Sequence, residues 1–321
     1  MSEHDYRALR STPDDNLCSA RPGEIAAELA ELDRKVGWLI INRYTYRLMR
    51  MLGRIGAPEW DASGLSIDLD PELCAGTIMV SPDERSGSGA LVLIHGGGYV
   101  IGSPQDILPK AAFFARQLGV PVICAGYRLS PEARFPAPLD DCHASWHAVL
   151  ARSGDLNIDP GKIAIAGYSA GGGLAANLIH RLHDEGGVQP AAQVLVYPML
   201  DDRTATRREL DKPRHRVWSN RNNLFGWASF LGQQPGQDCP DYAVAARRNN
   251  LTGLPPAWLG VGTCDLFLDE DRDYAQRLIA ANVETIYAEV DGAIHGFDMG
   301  GTPLGNAFVQ SQVAFLKRFV V

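Results

Sequence analysis

The chain of 321 residues carries 30 basic against 38 acidic side chains, a net charge of −8, with 45% hydrophobic and 21% charged residues. That is an ordinary globular composition, and the absence of a basic stripe interleaved with aromatics argues against a nucleic-acid partner. No apolar run approaches the ~18 residues of a membrane span and the first residues lack the apolar core of a cleaved leader, so a cytoplasmic protein is expected.

Residues 1–20 are polar. Ile25, Leu29, Leu32, Val36 and Leu39 then recur at alternating spacings of four and three, which is one face of a helix. A second apolar helical stretch runs through Tyr46, Leu48, Met49, Leu52 and Ile55 and ends at Gly56-Ala57-Pro58. Such a pair fits helices packed on the core, a homodimer seam, or a mobile cap over a pocket. Beyond Trp60 the texture changes. Leu65 to Leu69 alternates and Leu73 to Val80 follows, which predicts two antiparallel strands before a polar turn at Ser81–Gly89.

Ala90–Ile94 is apolar throughout and opens a β–α alternation: helix at Ala111–Leu118, strand at Pro121–Ala125, helix at Cys142–Ala151, strand at Ile163–Ala166, helix at Leu174–Leu182, strand at Ala192–Tyr197. This order predicts a parallel sheet covered on both faces. Between Asp201 and Asn250 the alternation stops for longer than an ordinary βα loop allows, which predicts an inserted helical element. Its Arg203, Arg207, Arg208, Arg214 and Arg216 are expected to form a solvated face, ahead of Trp218, Phe225, Trp227 and Phe230. Alternation resumes with a strand at Ala257–Val261, a helix around Tyr274–Ala280, a strand at Glu284–Val290 and a closing helix at Ala307–Phe319.

The chemistry centres on Gly167-Tyr168-Ser169-Ala170-Gly171, a G-x-S-x-G between a predicted strand and a predicted helix. Small residues around the serine let the chain turn sharply and present its Oγ at the carboxyl edge of the sheet, the nucleophile elbow of an α/β-hydrolase. Gly171 to Ala176 also fits the G-x-G-x-x-A of dinucleotide sites. Its glycines fall after the turn, however, and the next strand ends at Pro198-Met199-Leu200 without a carboxylate.

A serine nucleophile needs a base, an acid that orients the base, and donors for the oxyanion. Of the eight histidines only His215 and His295 follow Ser169 beyond its own helix. His215 falls in the insertion, whereas His295 stands in a glycine-flanked loop directly after the last strand, so His295 is the expected base. Asp265, just past the preceding strand, is the expected acid. Asp269 is its competitor, although with Glu270 and Asp271 it resembles a helix start. Ala170 N–H and the glycines of His95-Gly96-Gly97-Gly98 are the expected oxyanion donors. Cys18, Cys74, Cys124, Cys142, Cys239 and Cys264 are scattered without paired spacing, so reduced thiols and no metal are expected.

His95–Gly98, Tyr127–Glu132 with Phe135-Pro136, Gly167–Gly172, Asp265–Glu270 and His295–Phe297 together resemble the motif series of the hormone-sensitive-lipase-like, bacterial family IV esterases, from about Ala90 to the C-terminus. The resemblance implies an α/β fold with an eight-stranded, mostly parallel sheet and a helical cap. It also implies hydrolysis of small carboxylic esters of short to medium chain without a cofactor, and maps the oxyanion donors to Gly97, Gly98 and Ala170. The chain is divided accordingly into a helical cap (1–58), a first core part (59–200), an inserted cap element (201–250) and a second core part (251–321). An amidase or lactonase with the same triad and a non-hydrolytic ligand-binding relative are the alternatives. Tyr168 stands where the family more often has Asp or Thr, Ser130 where Ala is usual, and Cys264 has no assigned role.

Overall fold

A strand that is apolar at every position needs cover on both faces, and four such runs set the architecture. The computed structural model describes residues 25–35, 40–55, 60–69, 76–211 and 215–321. Cys18, Val36, Leu39, Gly56–Pro58, Leu73, Cys74 and Arg214, on which some of these expectations rest, lie outside the described residues. Eight strands, β1 (Leu65–Asp68), β2 (Ile78–Pro82), β3 (Ala90–Ile94), β4 (Val122–Ala125), β5 (Ile163–Tyr168), β6 (Gln193–Val196), β7 (Ala257–Gly262) and β8 (Thr285–Val290), form one sheet in the order β1-β2-β4-β3-β5-β6-β7-β8. β2 pairs antiparallel with β1 and β4, and every other pair is parallel. The six strands buried throughout, β2, β4, β3, β5, β6 and β7, are contiguous across the centre of the sheet. The partly exposed β1 and β8 are the edges.

The helices are α1 (Ala30–Lys35), α2 (Tyr46–Ile55), α3 (Leu108–Leu118), α4 (Ala137–Ala151), α5 (Ala170–Glu185), α6 (Asn220–Leu231), α7 (Leu268–Ala280) and α8 (Pro303–Val320). α3 packs with α8, and α4 with α5, so two helical layers sandwich the sheet. α5 is also joined to α7 through a 2.7 Å hydrogen bond between His180 Nε2 and Tyr274 Oη. α3 and α4 begin earlier than their apolar periodicity suggests, because each opens on a proline turn. A first-turn proline lacks only an N–H that has no intrahelical acceptor anyway. β2 outlasts the predicted strand by two residues, since Ser81 and Pro82 still pair with Ser66 and Leu65.

The segment between Asp201 and Asn250 is helical as expected, with 3₁₀ turns at Asp202–Thr206, Arg208–Asp211 and Ala245–Arg247 around α6. Its arginines are not all a solvated face. Arg203 pairs with Asp201 at 2.7 Å and Arg208 with Asp211, both at the surface. Arg216, only 28% exposed, instead reaches 2.6 Å to Asp33 of α1. That partner lies far away in sequence, which is why composition alone misplaced it. Asn222 Oδ1 accepts from Ile41 N at 3.0 Å, and the Tyr46 and Phe225 rings lie 6.0 Å apart, so the amino-terminal helices pack on the insertion. Arg50 of α2 donates to Val100 O and Ser130 O, each at 2.7 Å, and to Glu132 Oε2 at 3.0 Å.

At the start of α7, Glu270 Oε1 accepts from Leu200 N at 2.7 Å and Asp201 N at 3.1 Å and so pins the chain leaving β6. Its neighbour Asp271 is fully buried with neither carboxylate oxygen bonded among the described residues. Burial, and then the nearby Glu270 and Asp265, push the Asp271 carboxyl well above the usual carboxylate range. The folded protein therefore keeps a proton there that the unfolded chain releases. The resulting stabilisation is complete below the ordinary carboxylate range and is lost as pH rises toward the folded-state value. Asp271→Asn, which cannot ionise, should thus gain in urea midpoint over the native protein on going from about pH 5 to about pH 8. An equal difference at both pH values would count against a buried neutral acid.

Candidate active site

The turn at Ser169 requires residues without bulk on either side. β5 ends at Tyr168, α5 begins at Ala170, and Ser169 takes φ 55° and ψ −119° between them. This left-handed strain is held by the main chain: Ser169 N donates to Val196 O at 2.9 Å, and Ser169 O accepts from Met199 N at 3.0 Å and Gly173 N at 3.1 Å. A Cβ at Gly171 would run into the carbonyl oxygens of Ile94 and His95, so only glycine permits the approach of the elbow to the end of β3.

The loops after β7 and β8 meet at this serine. His295 Nε2 lies 3.0 Å from Ser169 Oγ, and His295 Nδ1 lies 2.7 Å from Asp265 Oδ2. All three residues are buried. Asp265 is fixed in turn by Phe267 N, which donates to its Oδ1 at 3.0 Å. Asp269 instead points to the surface, 61% exposed, and pairs with Arg207 at 2.9 Å. The structure thus brings Asp265 to the imidazole and leaves Asp269 at the helix start. His215 is also buried, which pulls its pKa down against the charges of Asp265 and Asp269, but only His295 is hydrogen-bonded to Ser169 among the described residues. Cys264 contributes through its backbone: its N–H donates to Ala293 O at 3.0 Å and ties the acid-bearing loop to the histidine-bearing one.

The His95–Gly98 loop lies against the elbow, where a Cβ on Gly96 would stand 3.3 Å from Ser169 Cβ. Burial drops the His95 pKa to about 4, so the ring is neutral and its Nδ1 can donate to Gly96 O at 2.8 Å. Tyr127 stacks on the ring at 4.2 Å and donates to His95 O at 3.0 Å. Gly97 and Gly98 have φ of 117° and 58°. Their N–H groups and that of Ala170 have no acceptor among the described residues. The space a side chain on Gly98 would need is taken by the Trp218 ring of the insertion, which therefore roofs this loop.

Two contacts at the imidazole carry no signal in the sequence. Tyr197, at φ 34°, sets its ring 4.6 Å from that of His295, and Phe267 approaches edge-on at 5.4 Å. Tyr197 Oη donates to Asp298 Oδ1 at 2.7 Å, and Lys110 Nζ pairs with Asp298 Oδ2 at 2.5 Å. Tyr168, the departure from the family pattern, donates to Gln312 Oε1 at 3.0 Å and packs 5.9 Å from Tyr197. Its side chain belongs to the packing behind the site.

A buried serine, imidazole and carboxylate in a relay, on loops at one edge of a mostly parallel sheet, define a site of the hydrolase type. Residues 91–299 match the family described as alpha/beta hydrolase fold, and the chain belongs to that family. It is 31% identical over 231 residues to an ethyl acetate hydrolase of Pseudomonas putida, covering 70% of this chain and 71% of that protein. It is 28% identical over 276 residues to an acetyl-hydrolase of Streptomyces hygroscopicus, covering 85% and 87% respectively. Among solved structures, a bacterial heroin esterase superposes with a TM-score of 0.85 at 30% identity, over 93% of this chain and 98% of the other. Among the described residues no helix is long and apolar enough to cross a membrane.

With His295 Nε2 3.0 Å from its Oγ, Ser169 is the hydroxyl expected to react among the described residues. A fluorophosphonate probe should add its mass to the peptide containing Ser169 and should fail to do so in His295→Ala. Labelling that persists in that variant, or that falls on another serine, contradicts the arrangement.

Proposed function

We propose that the protein is a serine carboxylesterase in which Ser169 is the nucleophile, His295 the base and Asp265 the orienting acid. The observation that carries this reading is the single imidazole bonded at one nitrogen to Ser169 Oγ and at the other to Asp265. The names of the relatives, which include an ethyl acetate hydrolase and an acetyl-hydrolase, support small esters as substrates. His295 takes the Ser169 proton as Oγ attacks the ester carbonyl, and the oxyanion that forms is bound by the N–H groups of Gly97, Gly98 and Ala170. The imidazolium, stabilised by Asp265, returns the proton to the departing alcohol, and water repeats the cycle on the acyl-enzyme. Acidification should lower the rate, because a protonated imidazole cannot accept the serine proton.

Residues 1–58 and 201–250 are assigned as the two parts of a cap over this site, and 59–200 with 251–321 as the core that bears it. The ties from Asp33 to Arg216 and from Ile41 to Asn222, with the Trp218 ring over Gly98, support that division. A cytoplasmic setting is proposed with it, in keeping with the free thiols of Cys124 and Cys239. The roof limits the length of acyl chain that fits, so an optimum at short to medium chains is expected.

Asp265→Asn should cut turnover of p-nitrophenyl acetate by about 10⁴-fold, the loss known when a serine-protease triad loses its carboxylate, while Asp269→Asn should change it little. The reverse ranking would assign the acid wrongly. Trp218→Ala should shift the optimum of a p-nitrophenyl ester series toward longer acyl chains, and an unchanged profile would remove Trp218 from the roof. An amide and a lactone in the same panel separate the esterase reading from its two enzymatic alternatives.

A further inference from the structure

A second cluster of functional side chains lies outside the triad, on the α4–α5 layer. His143 and His147 are one helical turn apart on α4, so their rings emerge side by side. Glu185, the last residue of α5, faces them. His143 Nε2 lies 2.7 Å from Glu185 Oε2 and 3.1 Å from His147 Nε2, and the three ligand atoms all lie within 4.8 Å of one another.

His143 Nε2 carries either one hydrogen or one lone pair, so with protons alone it serves Glu185 and His147 together only through a shared, three-centre bond. A single cation facing all three lone pairs would give each donor atom a full contact of its own. Ligands 2.0–2.1 Å from a tetrahedral zinc stand roughly 3.3–3.4 Å apart, so the 2.7 Å His143–Glu185 and 3.1 Å His143–His147 separations would each have to open by less than about 1 Å. The carboxylate is also oriented for the task. Arg181 Nε donates to Glu185 Oε1 at 2.8 Å and Arg181 Nη1 to Asp140 Oδ1 at 2.7 Å, which leaves Oε2 directed at the histidines. A second-shell partner of this kind commonly fixes a ligating carboxylate. Asp140 offsets the Arg181 charge that would oppose a cation.

We propose that His143, His147 and Glu185 form a binding site for a first-row divalent cation of the zinc class, with solvent completing the coordination. Two imidazoles and one carboxylate are the donor set such ions prefer over magnesium or calcium. The site lies at the far end of the helix that starts beside the nucleophile, about 23 Å along its axis at 1.5 Å per residue. It therefore clamps α4 to α5 and takes no part in the ester chemistry, which extends the proposed function without depending on it.

The test is calorimetric titration of the chelator-stripped full-length protein with zinc chloride, alongside His143→Ala, His147→Ala and the double variant. One zinc per chain is expected at this site. Each single substitution should weaken it by more than the ~10–100-fold that loss of a mere second-shell partner costs. Zinc should also raise the melting temperature of the native protein and not that of the double variant, since an ion that binds only the folded state stabilises it. Unchanged hydrolysis of p-nitrophenyl acetate in all three variants and after EDTA confirms that they are folded and that the site is separate from the triad. The proposal is overturned if the double variant binds zinc as the native protein does, or if the native protein takes up none.

Discussion

Three stretches of main chain crowd around Ser169, and their mutual approach is the constraint on which the site depends. The end of β3, the elbow itself and the chain leaving β6 come so close that side chains at Gly167, Gly171 and Gly172 would collide with backbone or with Pro198. The strained serine is held through main-chain bonds to Val196, Met199 and Gly173. Its position is therefore set by the register of β3, β5 and β6, which pair Ile94 with Gly167 and Tyr168 with Val196. A nucleophile placed in this way inherits the rigidity of the fully buried centre of the sheet.

The other parts of the site come from segments remote in sequence, and short backbone bonds bring them into line. Cys264 N to Ala293 O joins the loop of the acid to that of the base. Tyr197, anchored by buried Asp298 and its partly exposed partner Lys110, backs the imidazole from the β6 side. Removing Lys110 would leave the buried Asp298 charge uncompensated, so this pair bears on the site without touching Ser169 or Asp265.

The sequence made the parallel sheet legible because its central strands are apolar on both faces, and it made the hydrogen-bonded set of Ser169, Asp265 and His295 legible because the three stand at strand ends in that order. Asp265 could be preferred to Asp269 for the same reason: Asp269 falls where a helix begins, and the structure finds it there beside Arg207. Helix starts were read late at α3, α4 and α8, each of which carries a proline in its first turn ahead of the apolar periodicity. Arg216 was misjudged and Tyr197 missed because their neighbours come from other segments of the chain. The pairing of His143 with His147 was visible as a four-residue spacing on a predicted helix. What gives that spacing meaning is Glu185, which arrives from a different helix and has no local signature.

Arg50 occupies a position with mechanical consequences. One guanidinium holds Val100 O, two residues beyond Gly98, together with Ser130 O and Glu132. The same arginine belongs to α2, whose Tyr46 packs against the insertion. Any displacement of α2 would act through Arg50 on the main chain just beyond Gly97 and Gly98, so the amino-terminal helix and the glycine loop are mechanically joined.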